Sequence, residues 1–429
     1  MKTSFLETTD SHRYAALVTS SRIRSLLTKE QVLNSLEGAA SWLEASTKAV
    51  PGASSCHRIA MYFDTGKLEW LYPHSNTAET ISAWLDLADL LKRPQYVENA
   101  TSYAARLASD PVRGLYRGET KDARGLAWYW TDAGTYSGLY TMRMPLHLER
   151  IARITGDQRY LDLCDEIGRT LRRRQLASGI VSAAWNPNTG WMREERVGSR
   201  YIYAVATFAT LHKLTGDASY QAAYERAVEA LLRMQNADGS FFQHYDPVTA
   251  LPHPTERSIK PFFFGYILNA IAEAYDLTGD ERLLTVARRL GDHLASLYYY
   301  RHKVPYCTNA GMIPADQTEA DAAVYDSAHG LLWLHARTGS AIYLDLALKL
   351  WWGAWTFQQD APDRPGWHGA IIQGVNSELS ETLAGVPANR KHLLHDPTRL
   401  GKTSLWAMVN HIFACRRILT GQLFREPSS

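Results

Sequence analysis

A short phrase, Thr-Gly-Asp-x-x-Tyr, returns along this chain and constrains its fold more than any other feature. Full copies stand at Thr155-Gly156-Asp157-Gln158-Arg159-Tyr160 and Thr215-Gly216-Asp217-Ala218-Ser219-Tyr220. Looser copies are Thr278-Gly279-Asp280, Thr338-Gly339-Ser340-Ala341-Ile342-Tyr343 and Thr420-Gly421, and a degenerate one ends in Pro94-Gln95-Tyr96. Glycine to glycine, the steps are 60, 63, 60 and 82 residues, and Tyr96 to Tyr160 adds a step of 64. Self-similarity at a near-fixed period marks a repeated supersecondary unit.

Each copy follows a helical pattern rich in Ala, Leu and aromatics: Glu79–Lys92, Tyr136–Ile154, Tyr201–Leu214, Phe263–Leu277, Ala320–Arg337 and Ser404–Leu419. All but the last precede a second helix with apolar residues at i, i+3, i+4 and i+7 and charges between. These are Gln95–Leu107, Tyr160–Arg174, Tyr220–Met234, Arg282–Leu297 and Ile342–Phe357, and Lys29–Ser46 supplies a sixth through Val32, Leu36, Ala39, Trp42 and Leu43. Gly suits the C′ position of the first helix and Asp or Ser the N-cap of the second. The unit is a helix hairpin, and six of them predict an all-α (α/α)6 toroid with six inner and six outer helices. Val/Ile-rich alternating runs are too few for a sheet-based fold. Residues 1–429 form one toroid domain on this reading, with 1–28 an N-terminal extension and 358–403 a long cleft-side loop.

Inner-to-outer turns are short. Outer-to-inner connections are long: 48–78, 108–135, 176–200, 236–261, 298–318 and 358–403. Long connections without regular structure in a compact domain are usually functional. All six are expected at one end of the toroid, around the inner-helix N-termini, and a site is expected there. The 13 Trp and 23 Tyr against 11 Phe suggest ligand-facing aromatic surface. The balance of 46 basic and 44 acidic residues argues against nucleic acid or an anionic membrane as partner. Cys56, Cys164, Cys307 and Cys415 form no CxxC pair, which fits unpaired thiols in a reducing compartment. Met1–Leu27 carries Asp10, His12, Arg13, Arg22 and Arg24 and no apolar core, so neither signal peptide nor membrane span is expected and the expected location is cytoplasmic.

With its repeated Thr-Gly-Asp turns and Gln235-Asn236-Ala237-Asp238-Gly239-Ser240-Phe241, the chain resembles the (α/α)6-toroid carbohydrate-active enzymes. Those include unsaturated-uronyl hydrolases and related glycosidases, uronate and sugar epimerases, and polysaccharide lyases. The resemblance spans nearly the whole chain and implies carbohydrate chemistry in a central cleft. It carries no residue roles, because its signatures are architectural.

The residues themselves offer candidates. Asp132, in the aromatic stretch Trp128-Tyr129-Trp130-Thr131-Asp132, reads as a carboxylate desolvated into a general acid, or as a helix-start acid held by backbone N–H groups. Asp326 is a poor mid-helix residue with His329 at i+3, a catalytic pair or a structural hydrogen bond. Glu79 follows Asn76 at near capping-box spacing. Glu194 and Glu195 lie in a loop of alternating charge, and Glu195 is the candidate taken forward. Tyr72, His74, Trp128, Trp130, Tyr136, His244, Tyr245, Trp367 and His368 are candidate cleft residues beside His329. Arg200, Arg257 and Lys260 fall just before inner helices and Arg143 about two turns into one, a set that suits a carboxylate-bearing sugar. His392, His395 and Asp396 lack zinc spacing, and no HExxH, GxSxG, P-loop or dinucleotide fingerprint occurs, so no metal or cofactor is expected.

The resulting expectation is a glycoside hydrolase acting on a short, uronate-containing oligosaccharide through two of the acids Asp132, Asp326, Glu79 and Glu195. An epimerase or lyase on the same fold is the alternative, and a non-catalytic oligosaccharide-binding toroid the non-enzymatic one. A terpene cyclase is disfavoured, since only one Gln-Asn-Ala-Asp-Gly turn occurs and no Asp-x-Asp-Asp run.

Overall fold

The computed structural model describes residues 20–48, 57–62, 67–73, 77–109, 136–137, 141–186, 189–256, 258–259, 261–301, 308–309, 318–319, 322–358, 368–376, 401–403 and 405–424. Thirteen helices run through them: α1 (Ser20–Leu26), α2 (Lys29–Lys48), α3 (Thr77–Leu90), α4 (Gln95–Ser109), α5 (Met144–Thr155), α6 (Gln158–Arg173), α7 (Ala204–Thr215), α8 (Ala218–Met234), α9 (Phe264–Thr278), α10 (Glu281–Arg301), α11 (Ala322–Thr338), α12 (Ala341–Phe357) and α13 (Leu405–Thr420). The inner helices α3, α5, α7, α9, α11 and α13 each pack on the next, and α13 returns to α3. Each pairs with its own outer helix, α13 with α2 from the other end of the chain. The expected (α/α)6 toroid is the fold.

The repeated phrase builds the hairpin turn atom by atom. Gly156, Gly216, Gly279 and Gly339 are left-handed, with φ of 67–70°, and their N–H groups return to the carbonyls of Ala152, His212, Tyr275 and His335. The threonine hydroxyl before each glycine donates to the carbonyl four residues back, as Thr155 does to Ile151 at 2.9 Å, and accepts the N–H two residues on. Asp157, Asp217 and Asp280 then cap the next helix by accepting from the N–H of Arg159, Ser219 and Arg282. The end copies depart from this pattern: the left-handed residue is Lys92 in the first and Gln422 in the last.

A second repeat ties neighbouring outer helices together. Gln175 Nε2 donates to the Gly179 carbonyl and to that of Ala223 in α8. Gln235 does the same to Gly239 and to Val286 in α10. Gln358 donates to Gly369 and to Ser35 in α2, which closes the ring. Gly179, Gly239 and Gly369 all have positive φ, and a Cβ on each would stand inside a carbonyl oxygen of the facing helix.

The aromatic excess goes largely into the core. Trp42, Trp84, Trp333 and Trp351 are fully buried, as are Tyr96, Tyr160, Tyr220, Tyr224 and Tyr245. Some polar tips find partners where helices meet, as the Tyr220 hydroxyl donates to Asp165 and the Trp333 indole N–H to Asp276, whereas Trp42 Nε1 and Trp84 Nε1 have none among the described residues. Among the described residues, these Trp and Tyr are core side chains.

The long connections are not bare loops. An antiparallel sheet of order β10-β11-β12-β1-β2 joins β1 (His57–Tyr62), β2 (Lys67–Pro73), β10 (Thr318–Glu319), β11 (Ile372–Asn376) and β12 (Gly401–Thr403). A second joins β3 (Tyr136–Ser137), β4 (Ala184–Asn186) and β5 (Gly190–Met192). Two-stranded ladders pair β6 (Val197–Gly198) with β7 (His244–Tyr245) and β8 (Ser258–Ile259) with β9 (Thr308–Asn309). The helix expected from Tyr136 starts instead at Met144. Pro145 fits a helix start, where no N–H is needed, and Tyr136 is drawn into pairing with Trp185.

The two kinds of glycine separate in their expected response to alanine. Gly156→Ala meets open space and should cost about 1 kcal/mol for the left-handed backbone alone. Gly239→Ala drives a Cβ into backbone and should cost about 3 kcal/mol or more. Urea melts of the two variants measure the difference, and equal losses would contradict the packing described.

Candidate functional site in the toroid bore

Four inner helices carry a polar residue once per turn, in three layers. Glu79 in α3, Arg143 just before α5, Tyr203 just before α7 and Tyr266 in α9 form the layer nearest the inner-helix N-termini. Ser82, His147, Thr207 and Asn269 follow one turn deeper, and then Asp86, Arg150, Thr210 and Glu273. Contacts between helices that are not ring neighbours show that these groups meet inside the bore. The Arg143 guanidinium of α5 lies 4.3 Å from the Tyr266 ring centre on α9, and Asn269 of α9 donates to Asn410 of α13 at 3.3 Å.

In the first layer Glu79 and Arg143 form an ion pair with about 4% of each side chain exposed. Arg143 is also held over the Tyr203 ring at 5.1 Å. One layer down, Ser82 Oγ and His147 Nδ1 are 2.8 Å apart. Burial, followed by the charges of Arg143 and Arg150 one turn to either side, holds His147 well below the usual imidazole range, so it is neutral. In the third layer Asp86 accepts from Arg150 at 2.5 Å and Arg416 at 3.1 Å. Arg417 Nε donates to His329 Nδ1 at 3.0 Å. Burial and the Arg417 charge hold His329 neutral as well, and because an arginine Nε can only donate, the ring proton of His329 sits on Nε2.

Glu273 completes the bore. Its carboxylate accepts from the Tyr203 hydroxyl at 2.6 Å. Burial pushes the carboxyl up to about 7 against the opposing pull of that hydrogen bond and of Arg143 and Arg417. It therefore holds a proton in roughly half of the molecules near neutral pH.

Several of these buried polar atoms have no hydrogen-bond partner among the described residues: Glu79 Oε2, Arg143 Nε and Nη1, His147 Nε2, Thr210 Oγ1 and Asn269 Oδ1. A buried donor or acceptor left unpaired costs about 1–3 kcal/mol. Five bore residues share this state, as do groups away from the bore such as Trp42, Trp84 and His293.

Of the candidates from sequence, Glu79 and His329 are in the bore. Asp326 lies in α11 one turn before His329, Tyr72 in β2 and Tyr136 in β3. His74, Trp128, Trp130, Asp132, Arg257, Lys260 and Trp367 lie outside the described residues. The remaining placements correct expectation. Glu195 is exposed, and its neighbour Glu194 is the anchored acid, accepting from Ser182 at 2.9 Å and Tyr201 at 3.0 Å. Tyr245 is a buried anchor whose hydroxyl donates to the Met234 carbonyl and accepts from Phe242 N–H. His244 pairs through Nδ1 with Glu256 at 2.5 Å, and Arg200 covers the Phe263 ring at 4.4 Å. His368 stands beside Gly369, against outer helix α2. Arg143 opens its helix, where it was read two turns inside one. His147, Asn269 and Glu273 were missed, although α9 carried the signal: Asn269 and Glu273 stand four apart in Ile267–Ala274, which is otherwise apolar all round.

Glu273 makes a measurable contribution to stability. A carboxyl whose pKa is raised from 4.5 to about 7 on folding favours the fold fully below the unfolded value, and that advantage is lost as pH rises through the folded one. Wild-type stability should fall by about 2 kcal/mol between pH 4.5 and 7 relative to Glu273→Gln, in which this dependence is absent. Parallel pH-dependent denaturation curves for the two proteins would refute the assignment.

Residues 169–371 match the family model described as the β-L-arabinofuranosidase, GH127 catalytic domain. No curated protein matches the chain. Solved structures superpose over nearly its whole length at low identity. An unsaturated glucuronyl hydrolase from Bacillus sp. GL1 gives a TM-score of 0.66 at 15% identity, covering 92% of this chain and 97% of that one. A sugar epimerase from a ruminal bacterium gives 0.66 at 12%, covering 92% and 98%. Cellobiose 2-epimerase from Bacillus thermoamylovorans gives 0.65 at 12%, covering 91% and 99%. The chain thus has the (α/α)6-toroid fold of these solved enzymes, and residues 169–371 of it match a glycosidase catalytic-domain model.

Proposed function

We propose that the enzyme is a glycoside hydrolase that binds a short oligosaccharide in the bore and cleaves it by carboxyl acid–base catalysis. The observation that supports this most is the set of unpartnered buried donors and acceptors on α3, α5, α7 and α9. A sugar presents alternating hydroxyls that donate and accept at once, and its apolar ring faces suit the flanking Tyr203 and Tyr266. The match of residues 169–371 to a glycosidase catalytic domain favours hydrolysis over the other chemistries of this fold.

Among the carboxyls, Glu79 is committed to Arg143, which suits it to holding substrate. Asp326 and Asp132 remain the proposed acid–base pair, and Glu195, exposed, is the weakest of the original four. Glu273 joins them as a carboxyl protonated near neutrality, as a general acid requires. A second reading, sugar epimerisation, is favoured by His147 and His329, two imidazoles held neutral inside the bore.

Oligosaccharide turnover distinguishes the two. Hydrolysis releases new reducing ends and incorporates oxygen from labelled water, whereas epimerisation does neither and takes up solvent deuterium at carbon. Asp132→Asn and Asp326→Asn should each lower kcat by about 10²–10⁴ with folding retained. Wild-type rates in both variants would remove these two residues from the mechanism.

A further inference from the structure

Glu79 and Arg143 combine three properties that together select a substrate. They are buried against each other at the inner-helix N-terminal end of the bore. They leave one acceptor, Glu79 Oε2, and two donors, Arg143 Nε and Nη1, without partners among the described residues. The arginine is also fixed in place by the faces of Tyr203 and Tyr266, at 5.1 and 4.3 Å from the ring centres.

Among the described residues of the first two layers on α3, α5, α7 and α9, the charges sum to zero. Glu79 and Arg143 compensate each other, and one turn below them His147 is neutral and linked to Ser82. Tyr203 and Tyr266 carry no charge, and the Tyr203 hydroxyl donates to Glu273 while lying within hydrogen-bonding reach of Arg143. A ligand arriving here finds two donors and an acceptor in a neutral setting. A sugar hydroxyl both donates and accepts, so a vicinal pair satisfies both sides of the ion pair. A carboxylate only accepts. It would satisfy Arg143 while setting its own charge against Glu79 Oε2 in a buried place, where like charges repel strongly.

Resting on the reading that the bore binds saccharides, we propose that the Glu79–Arg143 pair is a recognition subsite for the vicinal hydroxyls of a neutral sugar. The same pair discriminates against a uronate carboxylate. The arginine that on sequence grounds belonged to an acidic-sugar site is neutralised before the substrate arrives. Glu79 is therefore a specificity-determining residue, acting through the charge it cancels as well as the hydrogen bond it accepts.

Titration calorimetry on the whole chain tests this, because binding is read without turnover. The probes are methyl β-L-arabinofuranoside and methyl β-D-glucopyranoside as neutral diols and methyl β-D-glucuronide as the anion. Wild-type protein should bind at least one neutral probe tenfold or more tighter than the glucuronide. In Glu79→Gln the guanidinium loses its counter-charge while the shape is kept, so the preference should shift toward the glucuronide by tenfold or more, and the shift should shrink with added salt. Wild-type preference for the glucuronide overturns the proposal, as does an unchanged ratio in a folded Glu79→Gln. If circular dichroism shows that variant unfolded, the wild-type ratio decides alone. Failure of all three probes to bind wild-type protein overturns the bore as a saccharide site, and the proposal with it. Tighter binding of the glucuronide overturns the neutral-sugar assignment and leaves the bore reading standing.

Discussion

The toroid depends on a closure between parts of the chain that are far apart in sequence. A ring of hairpins has an open seam until its last outer helix meets its first, and Gln358 supplies that contact by donating to the Ser35 carbonyl, 323 residues away. Around it, Gly369 lies directly on Gly38, and Ser35 Oγ sits between Gln358 Oε1 at 2.6 Å and His411 Nε2 at 2.7 Å. His411 in turn stacks on Trp351 with a 9° interplanar angle. The seam uses the same glutamine–glycine device as the continuous joints at Gln175 and Gln235. Closing a long loop is unfavourable in chain entropy, but the penalty grows only slowly with length. A repeated local joint is therefore enough to hold the two ends of the chain together.

Closure is also what makes the bore polar at tolerable cost. Once the six inner helices are locked by their outer partners, their axial faces cannot collapse to bury apolar side chains against one another. The positions left over fill with Asp86, Arg150 and Arg416, which compensate each other, and with groups only partly satisfied. A buried ion pair rarely adds stability over a well-packed apolar substitute. Glu79 and Arg143 keep atoms without partners among the described residues, and the binding role proposed for this layer rests on them. Function is thus drawn from the stability surplus of the joints.

Sequence carried the fold because the fold is made of local chemistry. A threonine that accepts the N–H two residues on, a left-handed glycine and a capping aspartate act within six residues, so they are legible wherever they recur. The Gln175–Gly179 joint was as local, yet it went unread because its copy at Gln358 and Gly369 is spread over eleven residues. The site was less legible for a different reason. Inward and outward polar residues look alike along an inner helix until the ring fixes which face is axial. Glu273 differs from an exposed glutamate only in having apolar neighbours on every side. The loop acids Asp132 and Glu195 stand out in sequence through their aromatic and charged neighbours, while Arg143 reads as inside a helix that in fact begins beside it, at Met144.

Identities of 12–15% with TM-scores of 0.65–0.66 describe one scaffold carried by very different sequences. The physics of the bore makes such replacement simple. Each inner helix offers one axial residue per turn, set on rigid backbone, and changing one of them alters the charge of a layer without touching a joint. Opposite a bore arginine, an acid gives a neutral layer and an amide gives a cationic one, with the same helices and almost the same volume. Substrate charge can therefore diverge within this fold by single axial substitutions, while hairpin chemistry holds the architecture constant. In this chain the residue opposite Arg143 is an acid, Glu79, so the pair carries no net charge.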